Sequence, residues 1–300
     1  MVNLISIDDL TIDSIKQIIS DSKSFKNRML ECNYRKKIFA IMFFEPSART
    51  NLSFQSAINK LDAKMIFYDH DMSSSKKGES IYDTIKTIEN YCDAIIIRHP
   101  NNDIVKECSE ISKIPIINAG NGSGEHPTQA LLDLYTIFEF NENIYKTFQN
   151  QTSYFFSITF TGDLKNSRTV HSLVKLLDKL FLNVIFYFVS CEKLKLSENF
   201  KCNIRNLYYE VDNLESVISK TDILYMTRIQ KERESNENIY NIHLSERILS
   251  YGKESLIVLH PLPRNNEIPK ELDNDRRCKY FEQVNNGVYV RMAILKNCFY

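Results

Sequence analysis

Glycine is scarce in this chain: seven residues in 300, where an ordinary protein has about 7%. A sequence so poor in glycine should keep it where the backbone needs a positive φ or a close approach. Five of the seven, Gly78, Gly120, Gly122, Gly124 and Gly162, fall in segments that also gather polar residues. An excess of one charge is missing too, with 38 Lys and Arg against 38 Asp and Glu. A nucleic-acid surface usually shows a net basic excess, so general polyanion binding is disfavoured, while a small cationic pocket is not. No apolar run approaches the roughly 18 residues of a membrane helix. The longest, near 38–44 and 184–189, have strand length. The opening Met1-Val2-Asn3-Leu4 lacks a basic stretch followed by an apolar core, so no secretory signal is expected. The seven cysteines (32, 92, 108, 191, 202, 278 and 298) are scattered, odd in number and never spaced Cys-x-x-Cys. They suggest neither a disulfide framework nor a zinc site, but the reduced thiols of a cytoplasmic protein. The dinucleotide and Walker glycine patterns, the Gly-x-Ser-x-Gly turn and a Cys/His nucleophile pair are all absent. No metal and no cofactor is expected.

What is present is a soluble composition, 43% hydrophobic and 25% charged, long enough for two ordinary domains. Near-continuous apolar runs suggest strands at 38–44, 63–68, 94–97, 114–117, 155–160, 184–189, 223–226 and 256–259. Helical patterns at 12–22, 47–61, 79–91, 127–139, 167–180 and 214–219 lie between them. Runs of Val, Ile and Phe without alternation suit parallel strands covered on both faces. The alternation predicts an α/β fold of two doubly wound domains with mostly parallel sheets. The polar stretch 141–152 interrupts the pattern and reads as the region where a first domain gives way to a second. The expected division is 1-134 plus 285-300 and 135-284. A final amphipathic segment, 286–298, would be the helix that returns to the first domain.

Seven segments collect chemistry. Phe44-Glu45-Pro46-Ser47-Ala48-Arg49-Thr50 runs from a strand end into a helix start. Free N–H groups, two hydroxyls and a guanidinium there would suit phosphate; an N-cap serine with a solvated arginine is the plainer alternative. Ser73-Ser74-Ser75-Lys76-Lys77-Gly78-Glu79-Ser80 is basic and polar, in isolation an ordinary surface loop. Ile97-Arg98-His99 places an arginine at the carboxyl end of a buried strand, the edge where open α/β sheets bind ligands. Asn118 to Gln129 is a glycine-rich turn ending in His126 and Gln129, which share one helix face. Thr161-Gly162-Asp163-Leu164-Lys165-Asn166-Ser167-Arg168 repeats strand, turn and helix start. Thr227-Arg228-Ile229-Gln230-Lys231 puts an arginine just past a strand, either in a site or in a solvated loop. His260-Pro261-Leu262-Pro263-Arg264 could aim carbonyl groups or be a rigid connector. Convergence of these segments would make a cationic pocket suited to a phosphate plus carboxylates.

In this order the motifs resemble the catalytic chains of the aspartate carbamoyltransferases, from Ile5-Ser6-Ile7-Asp8 to Asn286-Gly287. Lys76-Lys77-Gly78-Glu79, Arg228-x-Gln230-Lys231-Glu232-Arg233 and Pro-Leu-Pro after His260 resemble the aspartate enzymes in particular. The Cys after that His and the Ser-Met-Gly of ornithine enzymes are absent. The resemblance implies transfer of a carbamoyl group from carbamoyl phosphate to L-aspartate in pyrimidine biosynthesis. It implies phosphate held by Ser47, Ala48, Arg49, Thr50 and Arg98, with Ser73 and Lys77 reaching in from a neighbouring subunit of a homotrimer. Thr50, Arg98 and His126 would contact the carbamoyl oxygen; Gln129 and the carbonyls of Pro261 and Leu262 would take its nitrogen. Arg168 and Arg228, helped by Lys77, Gln230 and Leu262, would hold aspartate. Glu45 resembles an acid that pairs with Arg168 and Arg233 in a closed state, and a cis Leu262–Pro263 peptide is implied. A regulatory chain is left open. Ala48 stands where Thr is usual, Ser75 where Gly is common, and Asn51 and Gln55 where charged residues are frequent. Competing readings are another amine acceptor, a silent scaffold homologue and a nucleotide-binding module.

Overall fold

The computed structural model describes residues 2–69, 78–229 and 242–299. These divide into two compact units, Met1–Leu132 with Asn285–Tyr300, and Asp133–Val284. The first carries α1 (Ile12–Lys26), β1 (Ile38–Phe43), α2 (Ala48–Lys60), β2 (Lys64–Tyr68), α3 (Ile81–Ile88), β3 (Ala94–His99), α4 (Ile104–Ile111), β4 (Ile116–Asn121) and the start of α5 (Pro127–Phe140). The second continues α5 and adds α6 (Glu142–Phe148), β5 (Phe156–Thr161), α7 (Arg168–Leu180), β6 (Val184–Val189), α8 (Glu198–Lys201), β7 (Leu207–Val211), β8 (Ile223–Met226), α9 (Glu246–Ser250) and β9 (Ile257–Leu259). Last comes α10 (Tyr280–Asn297), which passes into the first unit at Asn285.

Each unit is a parallel sheet with strand order that doubles back, β2-β1-β3-β4 in one and β7-β6-β5-β8-β9 in the other. The order reverses beside β1 and beside β5, and such switch points open a crevice at the strands' carboxyl ends. Phe39 to Met42 and Ala94 to Ile97 are buried at every position, as parallel strands covered on both faces require. In the second unit Phe160 lies 6.2 Å from Phe186 and 6.0 Å from Phe188, ring to ring. Each large side chain so buried contributes about 1.5–3 kcal/mol. The starts of α1 and α3 are capped locally: Thr11 Oγ1 accepts from Ser14 N at 3.1 Å, and Ser80 Oγ from Asp83 N at 3.1 Å.

The expected architecture of two doubly wound parallel domains with a returning C-terminal helix is the observed one. Lys296 and Asn297 on α10 donate to Asp21 on α1 at 2.8 and 3.1 Å. Arg291 donates to Ser53 Oγ at 2.7 Å and lies over the Phe54 ring at 5.1 Å. Several elements differ from expectation. The polar stretch 141–152 is not a passage between units. It folds as α6 inside the second, with Asn141 Oδ1 accepting from Ile144 N at 3.1 Å and Ile144 and Phe148 buried. The helix expected at 214–219 is two 3-10 turns, Leu214–Ser216 and Ile218–Lys220. β7 and α4 were not anticipated: β7 is an edge strand with Leu207 and Tyr209 exposed, so it lacks the apolar run of its neighbours.

Candidate active site

In the first unit the candidate residues lie at the carboxyl edge of the sheet. Phe44 N donates to Arg98 O at 2.9 Å, which closes the exits of β1 and β3 side by side. Ser47 is extended at the N-cap of α2, and its hydroxyl makes no capping hydrogen bond. Ala48, Arg49 and Thr50 form the first turn of that helix, where N–H groups have no intrahelical acceptor and the dipole favours an anion. Thr50 is buried, and its Oγ1 stands 3.5 Å from His126 Nε2. His126 precedes α5; its Nδ1 lies 3.4 Å from Thr128 Oγ1. Gln129 is buried in the first turn of α5, its N–H donating to His126 O at 3.0 Å. Arg98, half-buried at the end of β3, donates from Nε to Glu45 Oε1 at 2.7 Å and from Nη1 to Ala119 O at 3.4 Å. Thus Arg49, Thr50, Arg98, His126 and Gln129 come from three strand exits of one sheet, with Ser47 and Ala48 beside them. Glu45 pairs here with Arg98; Arg233, one partner implied for it, is outside the described residues.

One glycine serves this edge directly. Gly122 adopts φ 41°, and a Cβ there would meet the Asn102 side chain and the Pro100 carbonyl. Glu125, within the same motif, has a structural role, accepting from Ser6 Oγ at 2.8 Å and from Ile7 N at 2.9 Å.

In the second unit, β5, β8 and β9 are neighbours, so the segments that follow them exit together. Arg168 opens α7 after the turn from β5. That turn is bound to the exit of β8: Thr227 N donates to Thr161 O at 2.8 Å and Asp163 N to Thr227 Oγ1 at 3.1 Å. Gly162, at φ 112°, presses against the Thr227 carbonyl with no room for a side chain. Arg228 follows Thr227 directly. After β9, Pro261 and Leu262 lie on a connector whose Leu262–Pro263 peptide is cis, with Leu262 at φ 56°.

Buried groups stand behind these segments, and of them Asp133, Gln283 and Glu267 carry no signal in the sequence. Asp133 accepts from Tyr225 Oη at 2.8 Å and from Gln283 Nε2 at 2.6 Å; Gln283 Oε1 accepts from His260 N at 3.0 Å. Burial, with the Asp133 carboxylate adding to it, pushes the Tyr225 hydroxyl well above its ordinary pKa, so Tyr225 is a donor at neutral pH. His260 Nε2 lies 2.9 Å from Glu267 Oε1. Burial alone would push the Glu267 carboxyl up. Hydrogen bonds from His260 and from the Asn265 and Glu267 backbone outweigh it and hold that carboxyl below its usual range. Arg264 donates from Nη2 to Asp273 Oδ2 at 2.7 Å and from Nη1 to Tyr280 Oη at 2.9 Å, and fixes the connector's far end. Ser73, Lys77 and Gln230 lie outside the described residues. Among the described residues no group of three or more His, Cys, Asp or Glu could hold a metal ion, and no helix is long and apolar enough to cross a membrane.

Residues 3–139 match the family model described as aspartate/ornithine carbamoyltransferase, carbamoyl-P binding domain. Residues 156–298 match its companion, the Asp/Orn binding domain. The chain belongs to the aspartate/ornithine carbamoyltransferase family. Within this carbamoyltransferase family it is 40% identical over 303 residues to the aspartate carbamoyltransferase catalytic subunit of Azobacteroides pseudotrichonymphae, covering 98% of this chain and 97% of that one. The catalytic subunit from Thermococcus kodakarensis is 42% identical over 306 residues, with 98% and 95% covered. Among solved structures, aspartate transcarbamoylase of Trypanosoma cruzi in complex with carbamoyl phosphate and aspartate has a TM-score of 0.90 at 33% identity, covering 98% of this chain and 95% of that one. Ala48, in the first turn of α2, can offer an anion its backbone N–H but no hydroxyl.

Proposed function

We propose that the chain transfers the carbamoyl group of carbamoyl phosphate to the amino group of L-aspartate, giving N-carbamoyl-L-aspartate and phosphate. The observation that carries this reading is the grouping of Arg49, Thr50, Arg98, His126 and Gln129 on one parallel sheet edge at a helix N-terminus. That edge offers a phosphate site beside donors for a carbonyl oxygen. Ser47, Ala48, Arg49 and Thr50 take the phosphate, as anions bind at helix starts. Arg98 completes it, exchanging part of its bond to Glu45 for the substrate. The neutral amine of aspartate attacks the carbamoyl carbon; Thr50, Arg98 and His126 stabilise the oxyanion that forms. Gln129 and the Pro261 and Leu262 carbonyls orient the carbamoyl nitrogen. Arg168 and Arg228 clamp the aspartate carboxylates, with Gln230, Lys77 and Leu262 assisting, and positioning supplies much of the acceleration. The departing phosphate takes the amine proton.

The fuller assembly is a homotrimer in which Ser73 and Lys77 serve a neighbour's site, working in the cytoplasm in pyrimidine biosynthesis, with or without a regulatory chain. The reading is supported by the relatives' names and by the T. cruzi enzyme, whose complexes hold carbamoyl phosphate, aspartate and carbamoyl aspartate. A bisubstrate mimic joining a phosphonate to aspartate should bind tightly and compete with both substrates. Aspartate should yield carbamoylaspartate and ornithine no product. Turnover with ornithine, or no binding of the mimic, would defeat the proposal.

A further inference from the structure

His260 is buried, as is Glu267, each 1% exposed, and neither reaches solvent or stands among the residues assigned to substrate. The ring is used locally instead, as an acceptor for the connector's own backbone. Leu262 N donates to His260 Nδ1 at 2.8 Å, across only two residues. An N–H can donate there only if Nδ1 carries a lone pair, so the ring proton sits on Nε2. Nε2 faces Glu267 Oε1 at 2.9 Å, and the same oxygen takes the Asn265 N–H at 3.0 Å. A carboxylate accepts and cannot donate, so Glu267 selects this tautomer. The other end of the residue is held as firmly, through His260 N to Gln283 and on to Asp133.

The residue that receives this support has a strained backbone of its own. Leu262 sits at φ 56°, a left-handed conformation costly for any residue with a Cβ and kept only where its surroundings impose it. Rotation of Leu262 out of that region would turn both the Pro261 and the Leu262 carbonyls. The Nδ1 acceptor opposes that rotation.

We propose that His260, as the neutral tautomer selected by Glu267, is a positioning residue for the carbamoyl nitrogen. It locks Leu262 and thereby fixes the orientation of the Pro261 and Leu262 carbonyls before substrate arrives. This rests on the carbamoyl-transfer reading, in which those carbonyls accept from the substrate amide.

The test compares two substitutions in the full chain with two probes. In His260→Asn the amide oxygen stands where Nδ1 stood and can keep the Leu262 N–H. In His260→Gln the polar end reaches toward Glu267 and leaves that N–H without its acceptor. The probes are phosphonoacetamide, which carries an amide, and inorganic phosphate, which does not. Expected is a loss of about tenfold or more in phosphonoacetamide affinity for His260→Gln, unchanged phosphate affinity, and recovery of most of the loss in His260→Asn. Equal loss in both variants, equal loss for both probes, or no loss at all would overturn the proposal. If His260→Gln does not fold, nitrogen-15 spectra of the unsubstituted chain decide, with the His260 signals assigned by their disappearance in His260→Asn. A proton on Nε2 alone supports the tautomer lock; a proton on Nδ1 at neutral pH overturns it. Failure of the underlying function is separate, since the unsubstituted chain would then make no carbamoylaspartate.

Discussion

Arg98 spends its guanidinium on Glu45 and on the Ala119 carbonyl in this structure. These bonds hold the fork at the sheet edge with 12% of the side chain exposed, and the proposed phosphate or oxyanion would have to claim part of it. Arg98→Ala should lower kcat by about 10²–10³, the usual loss for one oxyanion donor, while circular dichroism and melting temperature stay close to those of the unsubstituted chain. Steady-state turnover within a few-fold of normal would remove Arg98 from the chemistry. Arg228 is proposed for a different part, so its truncation should have a different signature. Arg228→Ala should raise the aspartate concentration for half-saturation far more than that for carbamoyl phosphate; an unchanged aspartate saturation curve would exclude it from that clamp. At this scale the sequence was informative, because arginine just beyond a buried strand has few structural reasons to be there. It was silent about Asp133 and Gln283. These look like ordinary helix residues and meet only because positions 150 apart are folded together.

Between elements, a close join in the second unit runs from the β5 exit to the β8 exit. Gly162 lets the two backbones touch, and Thr227 then binds back to both Thr161 and Asp163. Gly162→Ala puts a methyl against the Thr227 carbonyl and forces φ 112° on a residue with a Cβ. It should cost about 1–3 kcal/mol, lower the melting temperature and raise the aspartate requirement by moving Arg228. A variant as stable and as aspartate-responsive as the parent would mean the join is looser than it looks. The same elements show what periodicity can and cannot tell. Strands β6 and β8 were legible to the residue, since consecutive apolar residues at 184–189 and 223–226 fit nothing else so well. β7 was not, because an edge strand that exposes Leu207 and Tyr209 loses the signal. α6 was hidden by composition: its seven residues have few apolar positions, and its cap, Asn141, reads equally well as a turn.

For the whole chain, acid should be the vulnerable direction. Arg264 holds the Asp273 carboxyl below its ordinary range, and Arg277 does the same for Asp275. Burial alone would raise the Glu267 carboxyl, but its hydrogen bonds reverse that shift. Groups depressed in the folded state contribute stability that is present above their unfolded pKa, about 4, and lost as pH falls through the folded value. Urea midpoints should therefore hold steady from pH 7 to 5 and decline below about 4, with Glu267→Gln showing a shallower decline. A midpoint independent of pH down to 3 would contradict this.

The two-unit division has one more consequence. Residues Asn285–Tyr300 belong with Met1–Leu132, and α10 brings Arg291 over Phe54 and Lys296 to Asp21. During synthesis on the ribosome, therefore, the unit begun first is finished last. The second unit has all five of its strands while Phe54 in the first still awaits the Arg291 side chain that covers its ring.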